Sequence, residues 1–238
     1  MFAKSYFYVL IIFMKIIDAH SHIDYITHDI QPGVVGTICC TTDETQWLDL
    51  INMMNVDNRI YGCFGIHPWF VQNIKDGFED RLYDLLKNNE SFFVGEIGLD
   101  KYKPDIDIQI DVFKKQFDVA VKLHRTVFLH CVGAWEKIFF ILKQYKKSEL
   151  PVLVIHDFHG SDEILTNLLD NYKVMFSFNK IDKPQYIRRI ELENILVETD
   201  GKADVILENI ITDISDIKNN TYVADIIYNN TQGLLKHE

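Results

Sequence analysis

His20 and His22 lie two residues apart in the segment Asp18-Ala19-His20-Ser21-His22. In an extended strand, residues i and i+2 face the same side, so both imidazoles can reach one cation. Asp18 shares that face one step deeper, where it can hydrogen-bond a ligating ring nitrogen and hold its tautomer. By itself the pair reads more often as two surface histidines. Further along, Glu96 ends the apolar run Phe92-Phe93-Val94-Gly95 and precedes Ile97-Gly98. A carboxylate there is costly unless it is paired or bound to metal. His130 and His156 each end an apolar run, His67-Pro68 follows another, and Asp200 follows Ile195-Leu196-Val197-Glu198-Thr199. Each has an ordinary alternative: a salt bridge for Glu96, hydrogen-bonded core histidines for His130 and His156, and a helix N-cap for Asp200.

These residues need elements that bring them together. Short apolar runs cover Lys15–His20, Val34–Cys40, Ile60–Ile66, Phe92–Ile97, Thr126–Cys131, Val152–His156, Lys173–Phe178 and Ile195–Thr199. Their length and their β-branched and aromatic content predict strands buried on both faces. Helical periodicity fills Ile74–Lys87, Asp107–His124, Ala134–Tyr145 and Asp162–Tyr172. Eight strands with helical segments between and after them predict an α/β fold, a parallel (β/α)8 TIM barrel. The tail from Ala203 to Glu238 would supply its last helices, and no linker supports a two-domain division.

Functional residues in such barrels project from the carboxyl ends of the strands. Of nine histidines, only His28, His124, His159 and His237 lie away from those ends. His20, His22, Glu96, His130, His156 and Asp200 make six potential ligands at one barrel mouth. A single catalytic ion usually takes three or four protein ligands. Six suit two divalent ions sharing a carboxylate, roughly 3.5–4 Å apart, the usual device for phosphoester hydrolysis. Four imidazoles favour Zn²⁺ or Mn²⁺ over Mg²⁺ by ligand softness.

Composition narrows the partners. With 47% hydrophobic and 25% charged residues, the 238-residue chain can bury a sizeable core. A net charge of −11 disfavours a broad basic surface for nucleic acid, so a phosphate substrate would be held locally through metal ions. The four cysteines, Cys39, Cys40, Cys63 and Cys131, lie in apolar runs without zinc-motif spacing. They read as buried reduced thiols of a cytoplasmic protein. Residues 1–14 form an apolar extension before a single barrel domain at 15–238. It reads as an upstream start with Met14 as the true first residue, as a packed strand or helix, or as an anchor. The run is too short to span a bilayer, so no membrane association is expected. No obligate protein partner is evident.

Taken together, the segments IIDAHSHID, GIHPWF, VGEIGLDKYK, FLHC, VLVIHDFHG and ILVETD resemble the TatD family of metal-dependent hydrolases, within the amidohydrolase-like barrels. They run from Lys15 to about Asp200 in family order, and Asn230 falls at the usual asparagine of the closing helix. The resemblance implies that His20, His22 and Asp200 bind one ion, that His130 and His156 bind a second, and that Glu96 bridges both. It also implies that Asp200 activates the attacking water, that His67 contacts substrate phosphate, and that Asp100 supports the loop carrying Glu96. The implied reaction is hydrolysis of DNA phosphodiester bonds, often from an end, with two divalent ions (Mg, Mn or Zn). The sequence departs from the family at Gly201-Lys202-Ala203-Asp204 after ETD, at Val132-Gly133 after His130, and at Asp157-Phe158-His159-Gly160 after His156. The second change removes a charged residue that could contact phosphate, and Asp157 adds negative charge. The chain from Met14 is also somewhat short for the family. Two other readings stand beside this one. The same centre could hydrolyse a C–N or C–O bond of a small metabolite, or the barrel could bind metal without catalysis.

Overall fold

The computed structural model describes residues 14–23 and 31–236. Most of the N-terminal extension, His28 and His237 lie outside them. Eight strands run in sequence order around one parallel sheet: β1 (Ile16–His22), β2 (Val34–Cys40), β3 (Ile60–Phe64), β4 (Phe93–Asp100), β5 (Val127–Val132), β6 (Leu153–Ile155), β7 (Val174–Phe178) and β8 (Ile195–Val197). Helices follow on the outside: α1 (Trp47–Val56), α2 (Phe78–Lys87), α3 (Ile106–Leu123), α4 (Trp135–Leu142), α5 (Asp162–Asn171), α6 (Pro184–Arg189), α7 (Leu207–Lys218) and α8 (Val223–Lys236). The TIM barrel expected from the alternation is therefore the fold. All eight expected runs contain strands. The four periodic segments contain α2 to α5, and the tail contains α7 and α8. No helix among the described residues is long and apolar enough to cross a membrane.

The strands are apolar on both faces because each face meets a different core. Residues on the outer faces pack against the helices in one large cluster, which includes Val94, Leu129, Phe176, Phe113 and Phe117. A smaller cluster holds Ile38, Cys40, Cys63, Phe93, Phe128, Val154 and Leu196, with Leu234 of α8. Phe128, Val154 and Leu196 each stand two residues before His130, His156 and Glu198. Alternation along a strand therefore puts that apolar floor directly under the polar mouth. The Phe128 ring stacks beneath His20, with centroids 6.1 Å apart.

Between β4 and β5 the backbones must come close. Gly98 pairs with His130, and a Cβ on Gly98 would lie 1.8 Å from the His130 carbonyl oxygen. With φ at +155°, the position is closed to side-chain-bearing residues both by conformation and by contact. Two buried glutamines on α3 clamp the strand ends that carry site residues. Gln116 accepts from Ile66 N at 2.7 Å and donates to Ile66 O at 3.0 Å. Gln109 accepts from Asp100 N at 2.9 Å and donates to Asp100 O at 3.1 Å. At the other end, Asn230 of α8 donates to the carbonyls of Leu192 and Ile195 at 2.7 and 2.9 Å.

The seam between β8 and β1 is joined by Asp18. Its carboxylate accepts from Thr199 N at 2.9 Å, Thr199 Oγ1 at 2.6 Å and His20 N at 3.3 Å. Just beyond, Asp200 N donates to His20 O at 2.9 Å. The sequence suggested that Asp18 would hold an imidazole. The structure gives it another role, because one step below His20 the nearest polar groups belong to the strand passing on its open side. Asp18→Ala would leave buried donors unpaired at this seam, each costing about 1–3 kcal/mol. The expected result is a loss of about 3 kcal/mol, read as a lower urea midpoint with an unchanged slope.

Candidate metal centre

Glu96 lies at the centre of the barrel mouth and is 1% exposed. Each of its oxygens faces a different set of donors. Oε2 lies 3.2 Å from His20 Nε2 and 3.4 Å from His22 Nε2. Oε1 lies 2.8 Å from both His130 Nδ1 and His156 Nε2, and 3.3 Å from His67 Nε2. Asp200 joins the first set, its Oδ1 standing 3.3 Å from His22 Nε2 and 3.6 Å from His20 Nε2. All six residues proposed from the sequence as ligands therefore converge, with His67 beside them. Asp200 is not a helix cap, since the next helix begins at Leu207. Its backbone takes the left-handed conformation at φ 53°, which Asp tolerates better than most residues.

The far nitrogen of each ring decides what the near one can do. His22 Nδ1 lies 3.2 Å from the Cys40 carbonyl oxygen, which can only accept. The proton of the neutral ring therefore sits on Nδ1, and Nε2, facing two carboxylates, is the atom that takes up a second proton or a cation. His67 is the reverse. Its Nδ1 accepts from Trp69 N at 3.2 Å, so Nε2 carries the proton and donates towards Glu96. Burial pushes the His67 imidazolium down to about 4 and keeps this ring neutral. His156 Nδ1 faces Glu198 Oε1 at 3.5 Å, and His20 Nδ1 faces Cys40 Sγ at 3.3 Å. His130 turns its Nε2 towards Asp100 Oδ2 at 3.9 Å. Asp100 Oδ2 also accepts from Trp69 Nε1 at 2.8 Å, and its Oδ1 from Tyr102 N at 2.9 Å. It thus ties the loops after β3 and β4 together.

Electrostatics follow from this crowding. Burial alone would raise the Glu96 carboxyl, but the imidazoles of His156, His67 and His20 and the His130 hydrogen bond hold it well below its usual range. Burial opposes the Asp200 carboxylate too, yet His22, His20, His156 and Lys202 lower it. His156 moves the other way: burial disfavours its charge, and Glu96 and Glu198 raise it well above an ordinary imidazole. Lys202 Nζ stands 2.8 Å from Asp200 Oδ2 and 3.7 Å from Asp157 Oδ2. The departures after ETD and after His156 therefore meet at one charge cluster.

The donor set fits divalent cations. Ring nitrogens and carboxylate oxygens crowd one another, so a bound cation can take the place of the protons that Glu96 and Asp200 otherwise draw onto His22 and His156. Ligand atoms around a tetrahedral ion with bonds of about 2.0–2.1 Å stand about 3.3–3.4 Å apart. The His20–His22 ring nitrogens are 3.3 Å apart, and the neighbouring separations cluster around that value. Two groups, His20–His22–Asp200 and His67–Glu96–His130, each bring three potential ligand atoms close together, and of these the His67 Nε2, which carries a proton, is a donor and not a ligand. A third, His20–His156–Glu198, includes a residue the sequence reading passed over. Glu198 is fully buried, orients His156 and accepts from Asp157 N at 3.1 Å. Its place two residues before Asp200 was the available signal, the same alternation that pairs His20 with His22. Cys40, which backs both of those histidines, carried no such signal because its partners come from the neighbouring strand.

Eight parallel strands with imidazoles and carboxylates gathered at their carboxyl ends form the kind of barrel on which metal-dependent hydrolases are built. Residues 17–236 match the family model described as TatD related DNase, and the chain belongs to that family. A human protein named 3'-5' RNA nuclease TATDN2 is 28% identical over 182 residues, covering 71% of this chain and 23% of that protein. An uncharacterized metal-dependent hydrolase of Methanocaldococcus jannaschii is 27% identical over 192 residues, covering 73% of this chain and 74% of that one. Among solved structures, the TatD homolog YJJV of Escherichia coli superposes with a TM-score of 0.78 at 20% identity, covering 92% of this chain and 97% of that one. This last likeness concerns the fold.

Glu198→Ala would leave Asp157 N without its acceptor and remove the carboxylate that stands 3.5 Å from His156 Nδ1. The expected cost is about 1–3 kcal/mol of stability, measured by urea unfolding of the metal-free protein. An unchanged midpoint would show that Glu198 holds neither group.

Proposed function

We propose that this chain is a divalent-metal-dependent nuclease that hydrolyses phosphodiester bonds of DNA or a similar strand. The observation that carries the reading is the division of the Glu96 carboxylate, with one oxygen facing His20 and His22, the two rings that also meet Asp200, and the other facing His130 and His156. Such a carboxylate suits a bridge between two ions. The family description and the nuclease activity in the human relative's name support the substrate class. The name of the archaeal relative supports metal dependence.

In this reading His20, His22 and Asp200 would hold one ion, His130 and His156 would hold the other, and Glu96 would be shared between them. Bound there, the ions would acidify a water molecule and offset charge on the phosphoryl oxygens. Asp200, held ionised by His22 and Lys202, accepts the proton of the attacking water at its carboxylate. His67 meets a phosphoryl oxygen as a neutral Nε2–H donor, a role its fixed tautomer allows without adding charge. Glu198 keeps the His156 ring turned so that Nε2 faces the centre. The apolar floor below keeps water from reaching the ligand groups from inside the barrel. Zn²⁺ or Mn²⁺ suits four imidazoles better than Mg²⁺ does.

Glu96→Ala is expected to lose bound metal, measured by elemental analysis, and to lose turnover by at least about a thousandfold, since removing the shared ligand dismantles both sites. Equal metal content and equal DNA cleavage would remove Glu96 from the bridging role. A panel of single-stranded DNA, RNA, a dinucleotide, a lactone and a cyclic amide separates phosphodiester hydrolysis from attack on carbonyl carbon. Turnover confined to the last two would overturn the nuclease reading.

Acidity should compete with metal. Glu96 and Glu198 raise the His156 imidazolium, and the hydrogen bond to Asp200 with the charge of Glu96 outweighs burial to raise that of His22. Both rings hold protons in the metal-free protein at a pH where ordinary imidazoles are neutral. A metal must displace those protons, so affinity rises with pH and falls on acidification. Moving from pH 7.5 to 5.5 is expected to weaken binding by at least about tenfold, measured by equilibrium dialysis.

A further inference from the structure

Beside the centre lies a group of side chains that the ligand set does not use. Trp69, in the 3-10 turn Pro68–Asn73, is 51% exposed, whereas Trp47 and Trp135 are buried. Its indole is held firmly at the mouth. Nε1 donates to Asp100 at 2.8 Å, and the ring meets His67 edge-on with centroids 5.2 Å apart and His130 with centroids 6.3 Å apart. Lys103 Nζ stands 3.9 Å from the indole centroid. The pattern recurs next to it. Tyr102 is 74% exposed, with Lys101 Nζ 4.9 Å from its ring centroid.

The same place answers a question the sequence raised. After His130 the expected charged residue is replaced by Val132-Gly133. A Cβ on Gly133 would meet Lys101 Cε at 2.5 Å and Cδ at 2.6 Å. The absent side chain is thus the space that the Lys101 stem crosses. Positive charge missing from β5 is supplied by the neighbouring loop after β4.

We infer that Trp69 and Tyr102 form a stacking platform for the bases of single-stranded nucleic acid, with Lys101 and Lys103 meeting the adjoining phosphates. The inference rests on the nuclease reading and adds the rim on which the strand lies and the side chains that hold it. Rigid aromatic faces interleaved with lysines are the elements by which proteins hold single strands without reading their sequence. In a duplex the base faces are covered by stacking, so a flat ring beside the reacting phosphate favours a single strand. The local lysines also explain how a chain with net charge −11 can hold a polyanion at one spot.

Because Trp69 is the one exposed tryptophan of three, intrinsic fluorescence reports on the platform directly. The probe is a phosphorothioate oligothymidylate on the metal-loaded protein, compared with an abasic phosphorothioate strand of equal length. The base-bearing strand is expected to quench the emission and bind about tenfold tighter than the abasic one. Trp69→Ala should erase that preference. Trp69→Phe, which keeps a ring but loses the N–H to Asp100, should retain most of it. Equal affinity for the two strands overturns the platform, as does an equal loss in the Phe and Ala variants, which would assign Trp69 to the support of Asp100 alone. The nuclease reading fails separately, if the parent protein cleaves neither DNA, RNA nor a nitrophenyl phosphodiester. Thymidylate preference without cleavage would keep the platform and discard the nuclease.

Discussion

A carboxylate buried beneath five imidazoles is the constraint around which this barrel is arranged. Glu96 cannot be left charged in an apolar strand without partners, and it has them on both oxygens. Those partners arrive from β1, the loop after β3, β5 and the end of β6. Their own far nitrogens are then set in turn by Cys40, Trp69 and Glu198. Opposite tautomers at His22 and His67 follow from nothing more than whether a carbonyl or an N–H faces Nδ1. As neutral rings, one turns a lone pair towards the centre and the other a proton. Two histidines of the same residue type thereby acquire different chemistry.

Holding the donors at such distances asks for a stiff frame. The β4–β5 contact at Gly98 brings Glu96 and His130 closer than strands with side chains at that point would allow. Gln109 and Gln116 pin two strand ends from a single helix, so the loops bearing His67 and Asp100 cannot drift independently. Asp18 joins the last strand end to the first and fixes Asp200 relative to His20. Each device places a buried polar group on backbone, where a mismatch would leave hydrogen bonds unmade.

The departures from the family pattern lie at the rim and compensate one another locally. Lys202 faces both Asp200 and Asp157, so the added acid and the added base form one cluster. Lys101 lies across Gly133. Asp157 and Asp200 both take left-handed backbone conformations, which turn the chain sharply out of the barrel at these two strand ends. The ligand atoms beneath keep their relative positions while the charges above them differ.

Alternation of apolar runs with helical periodicity was enough to read the barrel, because strands buried on both faces leave that pattern in any order of residues. The strand ends then pointed to His20, His22, His67, Glu96, His130, His156 and Asp200 by position alone. The helix at Trp47–Val56 and the short one at Pro184–Arg189 were not singled out, since few of their residues face the core and the periodicity is correspondingly weak. Asp18 pointed to an imidazole and found Thr199, a partner 181 residues away on the closing strand. Glu198, Cys40, Trp69 and Lys101 acquired their roles only on folding. A sequence determines which face a side chain takes along its own strand, for that depends on a period of two. Which carbonyl, carboxylate or ring stands opposite depends on the register between strands distant in the chain, and only the closed barrel decides it.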